Sequence, residues 1–218
     1  MIRKLWPGVL LNLGAAVFGF VMLDRLPERV ASHWGAHGQV NGYSSRLELV
    51  LLVPMLSLVL AVVLAYAPQL DPKRRNFPLH AGAYWVVTNA ILAFLAVVHV
   101  MLIGFNLGWP MNINVVMGVG LGLLFMVLGN LLTRVRPNWI FGVRTPWTLS
   151  SDVSWRESHR MAGYGFVAAG LAVLVTAFAA PNAVVIVMLI GVGGTALASV
   201  VWSYFAWKGD PNAQGRDA

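Results

Sequence analysis

Two histidines, His33 and His37, lie four residues apart in the polar stretch 24–46, DRLPERVASHWGAHGQVNGYSSR. Imidazoles at that spacing could share a metal ion, with Asp24, Glu28 or Glu48 as a third ligand, or could titrate as a proton sensor near neutral pH. Gly35 and Gly38 interrupt any regular helix here, and no HExxH motif follows. The simplest reading is a hydrogen-bonded loop. Asn41-Gly42 is a strong turn former, because both residues tolerate positive φ. Trp34 and Tyr43 are amphipathic aromatics of the kind that sit at lipid headgroups. The stretch therefore reads as a compact cap on a bilayer surface, with His33, Trp34, His37 and Tyr43 as its ligand-facing residues.

A second stretch, 134–160, reads RVRPNWIFGVRTPWTLSSDVSWRESHR. Arginines alternate with aromatics, and Pro137 and Pro146 break any continuous helix. Ser151 or Asp152 suits a helix N-cap. Trp155, His159, Ala162 and Phe166 then fall on one face of a helix that starts at the interface and continues into the membrane. Asp152 with Arg156, and Glu157 with Arg160, have helical pairing distance. Such a loop can anchor a protein at the membrane, or dock a cytoplasmic partner or anionic lipid through guanidinium and aromatic groups. Asn138, Arg144, Trp147, Trp155, Arg156 and His159 are its candidate partner residues. His159 beside Asp152 or Glu157 offers a base, but no serine motif such as G-x-S-x-G accompanies it, so catalysis is not expected.

What must position these loops is a set of apolar helices. Of 218 residues, 58% are hydrophobic and only 11% charged, less than half the roughly 25% of an average soluble domain. The apolar residues fall into six runs, Leu5–Leu23, Leu47–Ala67, Ala81–Phe105, Ile113–Thr133, Met161–Ala180 and Ala183–Trp207. Each is long enough to cross a bilayer. The expected fold is all-α, a polytopic membrane bundle of six transmembrane helices forming one integral membrane domain over 1–218. The first run is read as an uncleaved helix, since no small-x-small site follows it.

Counting Lys and Arg orients the bundle. Twelve lie at the N-terminus, in the second and fourth loops and in the tail, against three (Arg25, Arg29, Arg46) on the other side. Both termini are therefore expected in the cytoplasm, with 24–46 outside and 134–160 inside. The net charge of +7 belongs to this pattern, so direct nucleic-acid binding is not expected. With no cysteine, disulfides and thiolate sites are excluded. Small-residue pairs, Ala15 with Gly19, Gly118 with Gly122 and Gly165 with Ala169, mark helix-packing faces. Pro54 is expected to kink the second span. Asn12, Asn89, His99 and Asn130 are the polar residues at depth, and no Asp, Glu, Lys or Arg lies well inside a span. An ion-coupled transporter usually keeps one there.

At the two long loops the chain resembles the SdpI family of bacterial membrane immunity proteins. The resemblance rests on Leu26-Pro27, His33-Trp34, Gly38 and Gly42-Tyr43 in an associated N-terminal module. Asp71-Pro72-Lys73 with Asn76 follows. Then come Gly129-Asn130, Arg136-Pro137-Asn138-Trp139, Gly142 to Thr148, Trp155-Arg156 and His159-Arg160. It departs at Ala31-Ser32, where the family pattern has proline before the histidine, and at Asn41, where an acid is usual. The resemblance implies a multi-pass protein of the bacterial plasma membrane, without cofactor or enzymatic activity. It further implies resistance to a secreted peptide toxin, the sporulation-delaying peptide in the best-known system, and signalling by holding a cytoplasmic transcriptional repressor at the membrane. The rival readings are a membrane metalloprotein or enzyme using His33 and His37, and a small-molecule transporter dependent on His99.

Overall fold

A computed structural model describes residues 4–214. Arg3 and Arg216, two of the charges that set the orientation, lie outside the described residues. Six helices are long and apolar enough to cross a membrane, as the hydropathy runs predict. Helix α1 (Trp6–Met22) is extended by a 3-10 turn to Arg25, and α2 covers Arg46–Tyr66, continuing through Pro54. The next two are α3 (Ala81–Asn106) and α4 (Ile113–Leu132). A short α5 (Pro146–Ser150) precedes the long α6 (Asp152–Ala179). The last span is α7 (Val184–Met188), a π turn over Leu189–Gly193 and α8 (Gly194–Lys208), followed by the short α9 (Pro211–Gln214). Leucines, valines and isoleucines such as Leu52, Leu58, Ile186 and Ile190 stay exposed along the spans, as a lipid-facing surface requires.

The spans form two groups. Helices α1 and α3 run parallel and are stitched by amides. Asn12 donates to Leu92 O at 2.8 Å, while Asn89 accepts from Gly8 N–H and donates to Lys4 O, both at 2.8 Å. Each deep amide is satisfied here by backbone groups of its own and the neighbouring helix, which bilayer hydrocarbon could not do. With α2 these helices enclose two cores. One, at the end carrying 24–46, is built on Val30, Val50, Leu102 and Ile103. The other, at the opposite end, is built on Leu5, Tyr84, Trp85 and Leu92.

The second group is α4, α6 and the last span. A Cβ placed on Gly122 would lie 2.8 Å from Gly170 O, and one on Gly170 2.6 Å from Gly122 O. Gly129 and Gly163 oppose each other in the same reciprocal way, at 2.5 and 2.9 Å. The two pairs are seven residues apart on each helix, so α4 and α6 are antiparallel and touch backbone to backbone. Close approach of this kind is what drives association in lipid, where no hydrophobic effect separates helix from solvent. Gly165 and Ala169 meet Thr195 and Gly191 of the last span, and Gly19 meets His99. All three small-residue pairs thus include residues at helix interfaces.

Candidate functional site

Stretch 24–46 folds into a β-hairpin, the only sheet among the described residues. Strands β1 (Arg29–Trp34) and β2 (Val40–Ser45) pair antiparallel, with Val30 opposite Ser44 and His33 opposite Gly42. The reversal occurs at Gly35–Gly38, where Gly38 takes φ +80° and donates to Gly35 O at 2.9 Å. The expected Asn41-Gly42 turn is not formed. These residues sit inside β2, and the register shift leaves Asn41 as a bulge. Its Oδ1 is 2.6 Å from His33 Nδ1, so the acceptor expected in a turn holds the imidazole instead.

Two asparagines seat the hairpin on the bundle. Asn106, the last residue of α3, accepts from Ala31 N–H at 2.8 Å and donates to Ala31 O at 2.9 Å. Asn114, in the first turn of α4, donates to Ala36 O at 3.2 Å. Ser45 closes the hairpin by capping α2 in a capping box with Glu48. Of the four expected cap residues, His33, His37 and Tyr43 are exposed, and Arg29 lies 4.5 Å above the Tyr43 ring. Trp34 turns inward and packs edge-on against Phe105 at 5.0 Å. Among the described residues no three metal-ligating side chains come together.

At the opposite end, 134–160 folds onto the connection between α2 and α3. Asp71 is buried. Its carboxylate accepts from Lys73 N–H at 2.7 Å and from Trp139 N–H at 3.0 Å. Asn76 donates to Pro137 O at 2.8 Å and Lys73 Nζ to Leu149 O at 3.1 Å. Asn138 is 2% exposed and saturates its amide, donating to Arg136 O and Phe141 O and accepting from Ile140 and Phe141 N–H. Thr145 caps α5 and Ser151 caps α6. Ser151 also donates to Asp210 at 2.6 Å, and Ser154 donates to Ser203 O at 2.7 Å, which ties the loop to the last span.

Trp155 and His159 form the floor of this end. Their rings stack at 4.1 Å, and both residues are 1% exposed. Trp155 Nε1 donates to Val135 O at 2.8 Å. His159 Nδ1 faces Trp155 O at 2.8 Å and so must donate, while Nε2 accepts from Val143 N–H at 3.2 Å. Both ring nitrogens are therefore occupied by backbone, and the imidazole is the neutral Nδ1–H tautomer. Gly142 makes this possible. It takes φ +110°, and a Cβ there would collide with His159 Nε2.

Of the six residues assigned to this loop, Asn138, Trp155 and His159 are thus interior, while Arg144 and Arg156 are exposed and Trp147 half-buried. Arg144 donates to Trp139 O at 2.6 Å. Sequence reasoning did not single out Asn106, Asn114, Asp210 or the capping role of Asp71, each joined to a partner far away in the chain. His99, the one intramembrane titratable candidate, is 1% exposed and has no hydrogen-bond partner for either ring nitrogen among the described residues.

Six membrane-crossing helices, a hairpin seated at one end and a stitched basic loop at the other define a polytopic helical membrane protein. Residues 134–203 match the SdpI/YfhL protein family, and residues 10–58 match a domain of unknown function (DUF1648). Over 188 residues, 86% of this chain and 88% of the relative, the sequence is 23% identical to the immunity protein SdpI of Bacillus subtilis (strain 168). No solved structure matches. Over residues 134–203 the chain is similar to the SdpI/YfhL family, and it is a multi-pass protein of the bacterial plasma membrane.

Proposed function

We propose that the protein protects its cell against a secreted peptide toxin, and that the hairpin is the part the toxin meets. The observation that carries this reading is the relation, across 86% of the chain, to a protein named for immunity. The hairpin supports it. His33, His37 and Tyr43 are exposed on a cap held at two points by Asn106 and Asn114, and the charge count turns that end outward. A rigid, exposed aromatic and imidazole surface can bind a peptide at small entropic cost. Sequestration there keeps the toxin from depolarising the bilayer.

The basic end supports a second role, holding a cytoplasmic transcriptional repressor at the membrane while toxin is bound. Arg144 and Arg156 are the exposed cations for that contact and Trp147 its half-buried aromatic, while Asn138, Trp155 and His159 shape the surface from beneath. Catalysis has no support here, because both nitrogens of His159 are committed to backbone.

The test is survival of a toxin-sensitive bacterium expressing the protein and challenged with the sporulation-delaying peptide, with membrane levels checked. Wild type should protect, His33→Ala combined with Tyr43→Ala should not, and Arg144→Ala should protect while losing gene regulation. Absence of protection by wild type at normal membrane levels overturns the reading for this toxin.

A further inference from the structure

The cleft between the second loop, the end of α4 and the start of α6 encloses about 710 Å³. Its walls carry Lys73, Arg134, Arg136, Arg156 and Arg160 against two carboxylates, Asp152 and Glu157. Glu157 is taken by Arg160 at 2.8 Å, and Lys73 is turned to Leu149 O. The guanidinium groups of Arg134, Arg136 and Arg156 make no hydrogen bond or ion pair with any described residue. Three guanidinium groups share one concave space with only the Asp152 carboxylate left to offset them, an arrangement whose mutual repulsion an entering anion would relieve. The floor cannot supply that anion or rearrange around it, since Trp155 and His159 are locked by their own hydrogen bonds.

The geometry points to an anionic phospholipid, its headgroup phosphate held among Arg134, Arg136 and Arg156 and its acyl chains leaving past Leu79 and Tyr164. Arg156, Arg160 and Tyr164 succeed one another at four-residue steps on α6, so they form one stripe leading from the basic end into the membrane-crossing part of the helix. Leu79 and Tyr164, which line the mouth, are 68% and 70% exposed. A soluble phosphate would need the cations but not this apolar exit. Basic pockets between transmembrane helices on the cytoplasmic side are suited to lipid headgroups, and 710 Å³ exceeds what a bare phosphate fills. This site does not depend on toxin binding, and it shares only Arg156 with the surface proposed for the repressor.

The test is mass spectrometry of the intact protein released from micelles holding equal amounts of phosphatidylglycerol and phosphatidylcholine. Wild type should retain phosphatidylglycerol in preference. Arg136→Gln combined with Arg156→Gln should weaken that retention by about 25-fold, at roughly fivefold per lost cation near a headgroup. Arg75→Gln, an exposed cation of the same side outside the cleft, should leave it unchanged. Thermal melting in phosphatidylcholine micelles shows whether the double variant is folded; if it is not, Arg134→Gln alone, expected to lose about fivefold, replaces it. Equal retention of the two lipids, or equal loss with Arg75→Gln, overturns the proposal. So does displacement of the bound lipid by millimolar glycerol phosphate, which would assign the site to a free phosphate, or by an oligoglutamate peptide, which would assign it to an acidic protein segment.

Discussion

Asn106 grips both polar groups of Ala31, accepting its N–H at 2.8 Å and donating to its carbonyl at 2.9 Å. A side chain at the end of α3 thereby imitates a neighbouring strand and gives β1 a second partner besides β2. Asn106→Ala leaves a buried N–H and carbonyl unpaired, at a cost of about 2–3 kcal/mol. The expected result is faster proteolysis at the Gly35–Gly38 turn, measured on membranes opened to the outer side, together with a lower melting temperature. Unchanged cleavage would mean that the apolar core around Val30 seats the hairpin alone.

Gly142 should be the least replaceable glycine at the basic end. Alanine there must adopt φ +110° and meet His159 Nε2, breaking the bond to Val143. A cost of about 2–4 kcal/mol is expected. Gly108→Ala is the control, since φ is +81° but nothing lies within 4 Å of its Cβ, so only the backbone strain of about 1 kcal/mol remains. Melting curves of the two variants in one detergent should differ by that margin, and equal shifts would remove the steric argument.

The α4–α6 contact predicts a similar asymmetry. Gly122→Ala drives a methyl group toward Gly170 O and forces two backbones apart, costing about 1–3 kcal/mol. Gly14→Ala in α1 meets open space and should stabilise by about 0.5–1 kcal/mol through helix propensity. Thermal unfolding in detergent reads both signs. A destabilised Gly14→Ala would imply that its open face is covered in the membrane.

His80, which precedes α3, supplies a pH dependence. Burial pushes its imidazole below the usual value near 6.5, opposed by Asp71 and the Asn76 backbone and assisted by Arg136. The folded state therefore favours neutral His80, and the unfolded chain binds the proton first as pH falls. Stability is full above about pH 6.5 and is lost on acidification below it, down to the lowered folded value. Replacing His80 by Phe should flatten the wild-type melting profile between pH 7 and pH 5; a profile of unchanged slope would assign that loss to other groups.

The architecture was legible wherever a property repeats along the chain. Runs such as Ala81–Phe105 announce a span by length alone, and Gly118 with Gly122 announces a packing face by spacing. Side-chain direction in the loops was not legible. Trp155, Arg156 and His159 look alike as candidates on paper, yet stacking and backbone hydrogen bonds bury two of them and expose the third. Asn41-Gly42 is a sound local turn signal, but Gly35 and Gly38 form the turn, and the bulge spends Asn41 on His33. Partners such as Asp71 with Trp139 are 68 residues apart, and no local pattern links them.

The π turn at Leu189–Gly193 sets the phase of everything that follows it. It inserts one residue of slack into the last span, and α8 then presents Ser199 and Ser203 to the interior. Tightening it to an α-helical turn with no residue removed would rotate α8 by about 100°. Ser203 would swing away from Thr145 and Ser154, which it now holds at 3.0 and 2.7 Å. A change of helical winding toward one face of the bilayer would thus be felt at the other, as a loosened clasp on the basic loop.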